Sequence, residues 1–478
     1  MAGILLGIDV GTSSVKVVAT DRSGRLVADA SVRYPTSTNG AAAEQNAEAW
    51  WEAVRTATAR VLGSHTVVAV SVTSQAPTLV PVDAGGIPTS PALTWLDRRA
   101  DAEARRIGEL VPGSRNGADP FFGTAKLPWL AANRPAALDS AEHVLAANGF
   151  IVRRLCGVSV LDDTTAALMQ GFDDETDSFD DALLDAEPSL RRLPRIAAAT
   201  DVVGAVTAEA ADATGITRGA PVVAGGIDSI GSALEAGVLE VGDPLVDMTG
   251  FSSVTILPVP RGTHVPGFIH TRHCVPDVDL LITAQVTAGA TVDWVNGLDS
   301  SIELRDDDLL LSRERPSRLT MVTSLAGERT PTWNMRSRGV IDGIDLSTDG
   351  AEIMLAAMEG NAQALARDIA TVTAAGFPID RMLSTGGGAS SRAWMQIKAD
   401  VLGIRVDRPA SGHGAAQGAA VLAGMAIGAI DSPGTVRSLG QTIESSFLPD
   451  PERTAAYARR AERYAEVARL NETRRTLR

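Results

Sequence analysis

The chain has 478 residues, 45% of them hydrophobic and 21% charged, with a formal net charge of −15. That length fills two or three domain cores, and the acidic balance excludes a nucleic-acid binder, which needs a basic face. Two cysteines, Cys156 and Cys274, exclude a disulfide framework and point to a reducing, cytoplasmic setting.

Taken in chain order, residues 1–34 read as a strand meander. Residues 4–8 are apolar around Gly7, Asp9 follows at the strand end, and Val15, Val17, Val18 and Ala19 resume a β-prone run. Asp9 inside this run and the missing basic leader argue against a signal peptide. Gly11, Thr12, Ser13 and Ser14 make a tight turn between the strands. Successive N–H groups in such a turn form an anion site, and a strand-end aspartate can hold a hydrated Mg²⁺ beside the anion. An ordinary hairpin with a polar turn is the competing reading. Residues 47–62 read as a helix carrying Trp50 and Trp51, and 67–72 as a buried strand of parallel type. Gln75-Ala76-Pro77-Thr78 follows, then a strand at 79–82. Trp95-Leu96-Asp97-Arg98-Arg99 leads into a charged helix, and residues 119–129, with Phe121 and Phe122, open another. The acidic run at 173–187 reads as a solvated loop or helix face.

Residues 220–224 read as a buried strand ending in Gly225-Gly226-Ile227-Asp228-Ser229, with a small-residue helix over 230–236. A carboxylate after two glycines is open to a ligand. Asp228 can take a proton from an attacking hydroxyl, or merely cap the helix. Gly242-Asp243-Pro244 is turn chemistry and the preferred boundary, dividing residues 1–242 from 243–478. The segment Asp247-Met248-Thr249-Gly250-Phe251-Ser252-Ser253-Val254 then repeats the first hairpin. Two such hairpins imply a duplicated α/β unit with a cleft between its halves, a common place for a small-molecule site. His270, His273 and Cys274 have no second ligand cluster, so zinc is not expected. A strand at 379–385 ends in Gly386-Gly387-Gly388, and a helix follows over 392–402. N–H groups at a helix start suit a nucleotide. Residues 414–430 are Ala/Gly-rich and interrupted by Gln417, which fits a buried helix (415–429) and no membrane span. Residues 453–478 read as a charged terminal helix. No Gly-Lys-Ser/Thr loop exists, which excludes a P-loop, and alternating strands and helices argue an α/β fold.

In this order the motifs resemble the FGGY family of carbohydrate kinases, and within it the xylulokinase-like members. The resemblance covers about residues 4–460. It rests on Asp9-Val10-Gly11-Thr12-Ser13, Trp95-Leu96-Asp97-Arg98-Arg99, Gly225-Gly226-Ile227-Asp228, Gly327-Glu328-Arg329-Thr330-Pro331, and Gly386 to Ala389 followed by Trp394 and Gln396. It implies two actin-like (ribonuclease H-like) domains with a duplicated core and an interdomain cleft. Residues 1–242 would bind the sugar and 243–478 the nucleotide. The implied reaction moves the γ-phosphate of ATP, with Mg²⁺, to a hydroxyl of a small carbohydrate, a ketose such as xylulose. By the family pattern Asp228 is the general base, and Asp9 joins it in catalysis by organising the metal. Gly11, Thr12, Ser13 and Lys16 serve the phosphates, faced by Gly250 and Ser252. Gly386 and Gly387 lie along the adenosine. Gln75, Trp95, Asp228 and Ser229 meet the sugar. A homodimer is one assembly left open.

Two departures stand out. Phe251 replaces the threonine of close relatives, keeping backbone donors and losing a hydroxyl. Ala76 and Pro77 replace a methionine and a histidine that contacts the sugar in xylulokinases, and a lost donor changes which substrate fits. Kinases for another polyol, a tetrulose or a sugar acid therefore stay open. So do an actin/Hsp70-like ATPase and, because of Phe251, a weakened sugar-binding regulator. Phe121 and Phe122 suit a core role, and Arg329 could pin its loop through a salt bridge.

Overall fold

The computed structural model describes residues 3–298, 306–410 and 412–476. Its first main sheet contains β1 (Gly3–Val10), β2 (Ser14–Thr20), β3 (Leu26–Arg33), β4 (Thr66–Ser74), β5 (Val202–Ala205) and β6 (Pro221–Ile227), in the order β5-β6-β4-β1-β2-β3. The second contains β7 (Leu245–Thr249), β8 (Ser253–Pro260), β9 (Ile269–Arg272), β10 (Val278–Gln285), β11 (Arg381–Thr385), β12 (Arg405–Pro409) and β13 (Ile443–Phe447), in the order β9-β10-β8-β7-β11-β12-β13.

The expected duplication is visible in the pairing. In the first sheet β1, β2 and β3 form an antiparallel meander, and on its other side β1 runs parallel to β4, which runs parallel to β6. In the second, β7, β8 and β10 form the meander, and β7, β11 and β12 are the parallel strands. The correspondence holds residue by residue: Asp9 sits opposite Thr73 of β4, and Asp247 opposite Ser384 of β11. The parallel strands are buried on both faces, which is why they read as continuous apolar runs.

Helix α1 (Ala47–Val61) starts at Asn46, whose side chain accepts the Glu48 N–H, and buries Trp50, Val54, Ala57 and Val61 on the first sheet. A lobe of short strands, including Leu79–Val82 and Ala92–Leu93, flanks this half and carries the chain to Trp95. Two helices cross between the sheets: α2 (Asp228–Glu235) and, after α3 (Arg392–Leu402), α4 (Ala415–Ala426). Although α4 lies in sequence between β12 and β13 of the second sheet, it packs on the first. A Cβ on Gly7 would stand 1.9 Å from the Ala416 carbonyl oxygen, and one on Gly418 1.7 Å from that of Gly231 in α2. Strand, α4 and α2 therefore meet backbone to backbone. Around this seam Ile230, Leu234, Val421 and Leu422 join Val246, Ile256 and Ile282 in one core shared by both halves.

Four expectations need correction. Helix 415–429 stops at Ala426, and the strand expected from 379 begins at Arg381. The terminal helix runs Pro451–Thr476, and the last two residues of the expected span lie outside the described residues. The acidic run is not merely solvated. It forms a short hairpin, Phe172–Asp173 with Ser178–Phe179, that buries both phenylalanines. Its Asp174 pairs with Arg115 and Arg272, and Asp177 with Arg272 and Arg261. Arg272 is on β9, so these charges bind the first half to the edge of the second sheet.

The backbone seam generates a stability prediction. Gly418→Ala should cost about 2–3 kcal/mol, the upper end for overpacking because the obstacle is backbone. Gly113→Ala, where a Cβ meets nothing within 4 Å, should shift stability by no more than about 0.5 kcal/mol. Chemical denaturation of both variants measures the contrast.

Candidate active site

The first hairpin is held from beneath. The Gly11 N–H donates to the Ser14 carbonyl at 3.0 Å, and Tyr34 donates its hydroxyl to the Gly11 carbonyl. The Thr12 carbonyl accepts from Gln45 Nε2 at 2.7 Å and from Thr36 Oγ1 at 3.1 Å. With its carbonyls engaged below, the turn keeps Ser13 exposed and Thr12 half-buried above. Lys16 faces Asp9 across the β1–β2 ladder.

Thr12 borders a cavity of about 200 Å³ between the halves. The first half supplies Trp95, Phe121, Asp228 and Ser229, and the second supplies Met248, Ser252, Val254 and Arg329. Trp95 donates its indole N–H to Thr12 Oγ1 at 3.1 Å and so joins the lobe of short strands to the hairpin. Arg329 stacks over Trp95 at 4.2 Å and over Phe121 at 5.1 Å. Among the described residues its guanidinium makes no salt bridge, so the loop-pinning ion pair is replaced by aromatic stacking across the cleft. Burial pulls that guanidinium down to about 10. Trp333 packs on Phe121 and Phe122 beside it. Phe122 is core, while Phe121 is both core and cavity wall.

Gln75 does not line this cavity, but its neighbour Ala76 does. The Gln75 side chain is buried, with Nε2 donating to Gln45 Oε1 at 2.6 Å, and its Oε1 has no hydrogen-bond partner among the described residues. Its amide reaches the first hairpin through Gln45, and its backbone N–H donates to the Val10 carbonyl at the end of β1 at 2.9 Å.

Asp228 is the first residue of α2, so Ile227 and not Asp228 holds the cap position. The helix-cap alternative therefore does not explain it. Burial pushes its carboxyl up to about 6, against hydrogen bonds from Ser229. Burial and then the charge of Asp228 push Asp9 up to about 7, against the Thr73 hydroxyl and the Lys16 charge. Thr73 donates to Asp9 at 3.1 Å. Two desolvated carboxylates that disfavour each other's charge suit a divalent cation. Mg²⁺ is typically held by one or two carboxylates plus substrate phosphates. Among the described residues no group of three or more His, Cys, Asp or Glu is placed to hold a metal ion.

The second hairpin separates this cavity from another. Ser252, Met248 and Val254 border the first, whereas Gly250 and Phe251 border a cavity of about 390 Å³ with Gly387, Gly388, Val292, Met358 and Trp394. Gly386 has φ +83° and lies where a Cβ would be 2.6 Å from the Thr249 carbonyl, so the glycine turn is seated against the hairpin strand. Phe251 is 72% exposed at the hairpin tip. Asp247 is fully buried and accepts from Thr249, Ser253, Ser384 and Lys398. Burial alone would raise its carboxyl, but the Lys398 charge and these bonds hold it below the usual range. Sequence reasoning assigned no role to Lys398, Thr73, Gln45 or Tyr34. Nothing in the spacing marks these four as partners of the hairpins.

Comparison with known proteins agrees with this arrangement. Residues 4–234 match the N-terminal domain, and 248–427 the C-terminal domain, of the FGGY family of carbohydrate kinases. A xylulose kinase of Escherichia coli K12 is 30% identical over 97% of this chain and 98% of its own length. A gluconokinase of Bacillus subtilis is 28% identical over 94% of this chain and 93% of its own. The crystal structure of xylulose kinase from Rhodospirillum rubrum superposes with a TM-score of 0.88 at 26% identity, covering 98% of this chain and 99% of that one. With two adjoining cavities, a duplicated hairpin and family matches over both halves, the chain belongs to the FGGY family of carbohydrate kinases and is an ATP-dependent sugar kinase.

Proposed function

We propose that the protein transfers the γ-phosphoryl group of Mg²⁺–ATP to a hydroxyl of a small ketose or polyol, with xylulose the first member to test. The observation that carries this reading is the second hairpin acting as a shared wall. A nucleotide seated against Gly386 and Gly387 extends its phosphates past Gly250 and Ser252 toward Asp228. In this reading Asp228 orients the acceptor hydroxyl and takes its proton late in a loose transition state. Asp9 holds the Mg²⁺, which when bound neutralises charge on the phosphoryl oxygens. Gly11, Thr12, Ser13 and Lys16 flank the phosphates from the first half. Trp95 and Ser229, both walls of the acceptor cavity, serve the sugar. The two units meet near Gly242-Asp243-Pro244, and stacking of Arg329 and Trp333 on the first half keeps water from the acceptor. The aromatic, guanidinium-bearing acceptor cavity favours this over a filament or chaperone ATPase, which needs no such pocket. Free Cys156 and Cys274 suit a cytoplasmic enzyme.

Asp228→Asn retains size and loses the basic oxygen. Its sugar-dependent kcat should fall at least about 10²-fold with ADP affinity unchanged. Near-native kcat would remove Asp228 from the mechanism. The raised carboxyl has a second consequence. Its contribution to stability is present below the ordinary value of 3.8 and is lost as pH rises through about 6. Asp228→Asn should therefore melt higher than wild type at pH 8, and the difference should shrink at pH 5. In wild type, kcat/KM should fall as pH drops through about 7 and then about 6, as first Asp9 and then Asp228 takes up a proton.

Ala76 borders the acceptor cavity with no hydrogen-bonding group. A missing bond to the sugar is worth roughly 1–3 kcal/mol when its partner is left unpaired. In an ADP-release screen over pentuloses, tetruloses, polyols and aldonic acids, a compound other than D-xylulose should therefore give the highest kcat/KM. D-xylulose far above all others would contradict this.

A further inference from the structure

The two hairpins are equivalent in fold and opposite in electrostatics. At the first, Asp9 has a hydroxyl from its parallel neighbour, Thr73, and a second carboxylate, Asp228, close enough to raise its pKa. At the second, Asp247 has the matching hydroxyl from Ser384 at 2.7 Å, and in place of another carboxylate it has the ammonium of Lys398. Lys398 comes from α3, the helix that follows the Gly386-Gly387-Gly388 turn, and also donates to Thr249 Oγ1 at 2.7 Å. Both charges are almost wholly buried, and the ammonium lies 5.2 Å from the Trp394 ring, a wall of the larger cavity. Ser253 closes the set with a bond to Asp247 at 2.8 Å.

We propose that Lys398 is the built-in cation of the nucleotide half: paired with Asp247, it fixes the second hairpin against the glycine turn and so positions the backbone donors that receive the nucleotide phosphates. The first hairpin leaves its aspartate for a metal ion, and the second neutralises its own. Lys398 is a positioning residue in this account, acting through Asp247 and Thr249. Because one charge-assisted network spans strands β7, β8 and β11 and helix α3, loss of the ammonium loosens the nucleotide cavity and spares the acceptor cavity, which belongs to the first half and the far face of the hairpin. A buried carboxylate left without its partner is strongly unfavourable, whereas removing both charges together is often tolerated.

This inference rests on the reading of the 390 Å³ cavity as the nucleotide site. The test measures ADP affinity by calorimetry, the KM of the best acceptor from the substrate screen, and melting temperature, for wild type, Lys398→Met and Asp247→Asn/Lys398→Met. Lys398→Met should weaken ADP about tenfold or more, as expected when an outer group that orients a ligand's contacts is lost. The acceptor KM should stay within about twofold. The double variant removes the stranded charge and should recover the melting temperature and most of the ADP affinity; it also decides the matter if the single variant fails to fold. Lys398→Met with unchanged ADP affinity would overturn the proposal. So would equal losses for ADP and acceptor, or a stable double variant that still cannot bind ADP, which would make the ammonium a direct nucleotide contact. Wild-type protein that binds no ADP would refute the nucleotide reading itself, and this inference with it.

Discussion

The backbone contact of α4 with β1 and α2 is the constraint on which the rest of the structure depends. Gly7 lies two residues before Asp9, and Gly231 three residues after Asp228. Helix α4 presses on both, through Ala416 and Gly418. The distance between the two carboxylates is therefore fixed by small residues that permit backbone contact, and not by any bond between the carboxylates. The Gly414 N–H donates to Glu235 at 2.7 Å and anchors the start of α4 at the end of α2. Since α4 arrives from the second half in sequence, neither half completes this corner alone. The same helices fill the core shared by the two sheets, so the elements that place the reacting groups also join the halves.

Around that corner, electrostatics divide the labour. Asp9 and Asp228 are desolvated carboxylates with raised pKa values, a state that disfavours the fold at neutral pH and favours a cation and a proton acceptor role. Asp247, at the pseudo-equivalent position, is fully bonded and stays ionised. The two hairpins thus share one scaffold and differ in the buried charges around their aspartates. On the acceptor side, Arg329 crosses the cleft without a carboxylate partner among the described residues and stacks on Trp95, whose indole N–H reaches Thr12. That chain of contacts links the second half, across the cavity, to the turn of the first hairpin.

Much of this was legible in the sequence because it is local. The strand–turn–strand patterns at Asp9 and Asp247, the glycines before Asp228 and the Gly386 turn each carry their backbone requirements within a few residues. The element boundaries missed were ends of helices and strands, where local signals are weakest. What was not legible depends on long-range contacts. The acidic run looked solvated because its partners, Arg115 and Arg272, lie far away in sequence. Gln75 was expected to face the sugar, but Gln45 draws its amide toward the hairpin, a contact with no sequence signature. Lys398 sits in an unremarkable helix, and only the fold reveals that its ammonium meets Asp247. The packing of α4 on the other half likewise has no signal beyond its small residues.

The central claim is that phosphoryl transfer is directed across the second hairpin from nucleotide to carbohydrate. Phosphorus NMR of ATP, Mg²⁺ and the preferred acceptor tests it most directly. The account predicts that the γ-phosphate signal is replaced by that of a sugar phosphomonoester, with little inorganic phosphate and no consumption of ATP when the acceptor is omitted. Release of inorganic phosphate at the same rate with and without carbohydrate would contradict it.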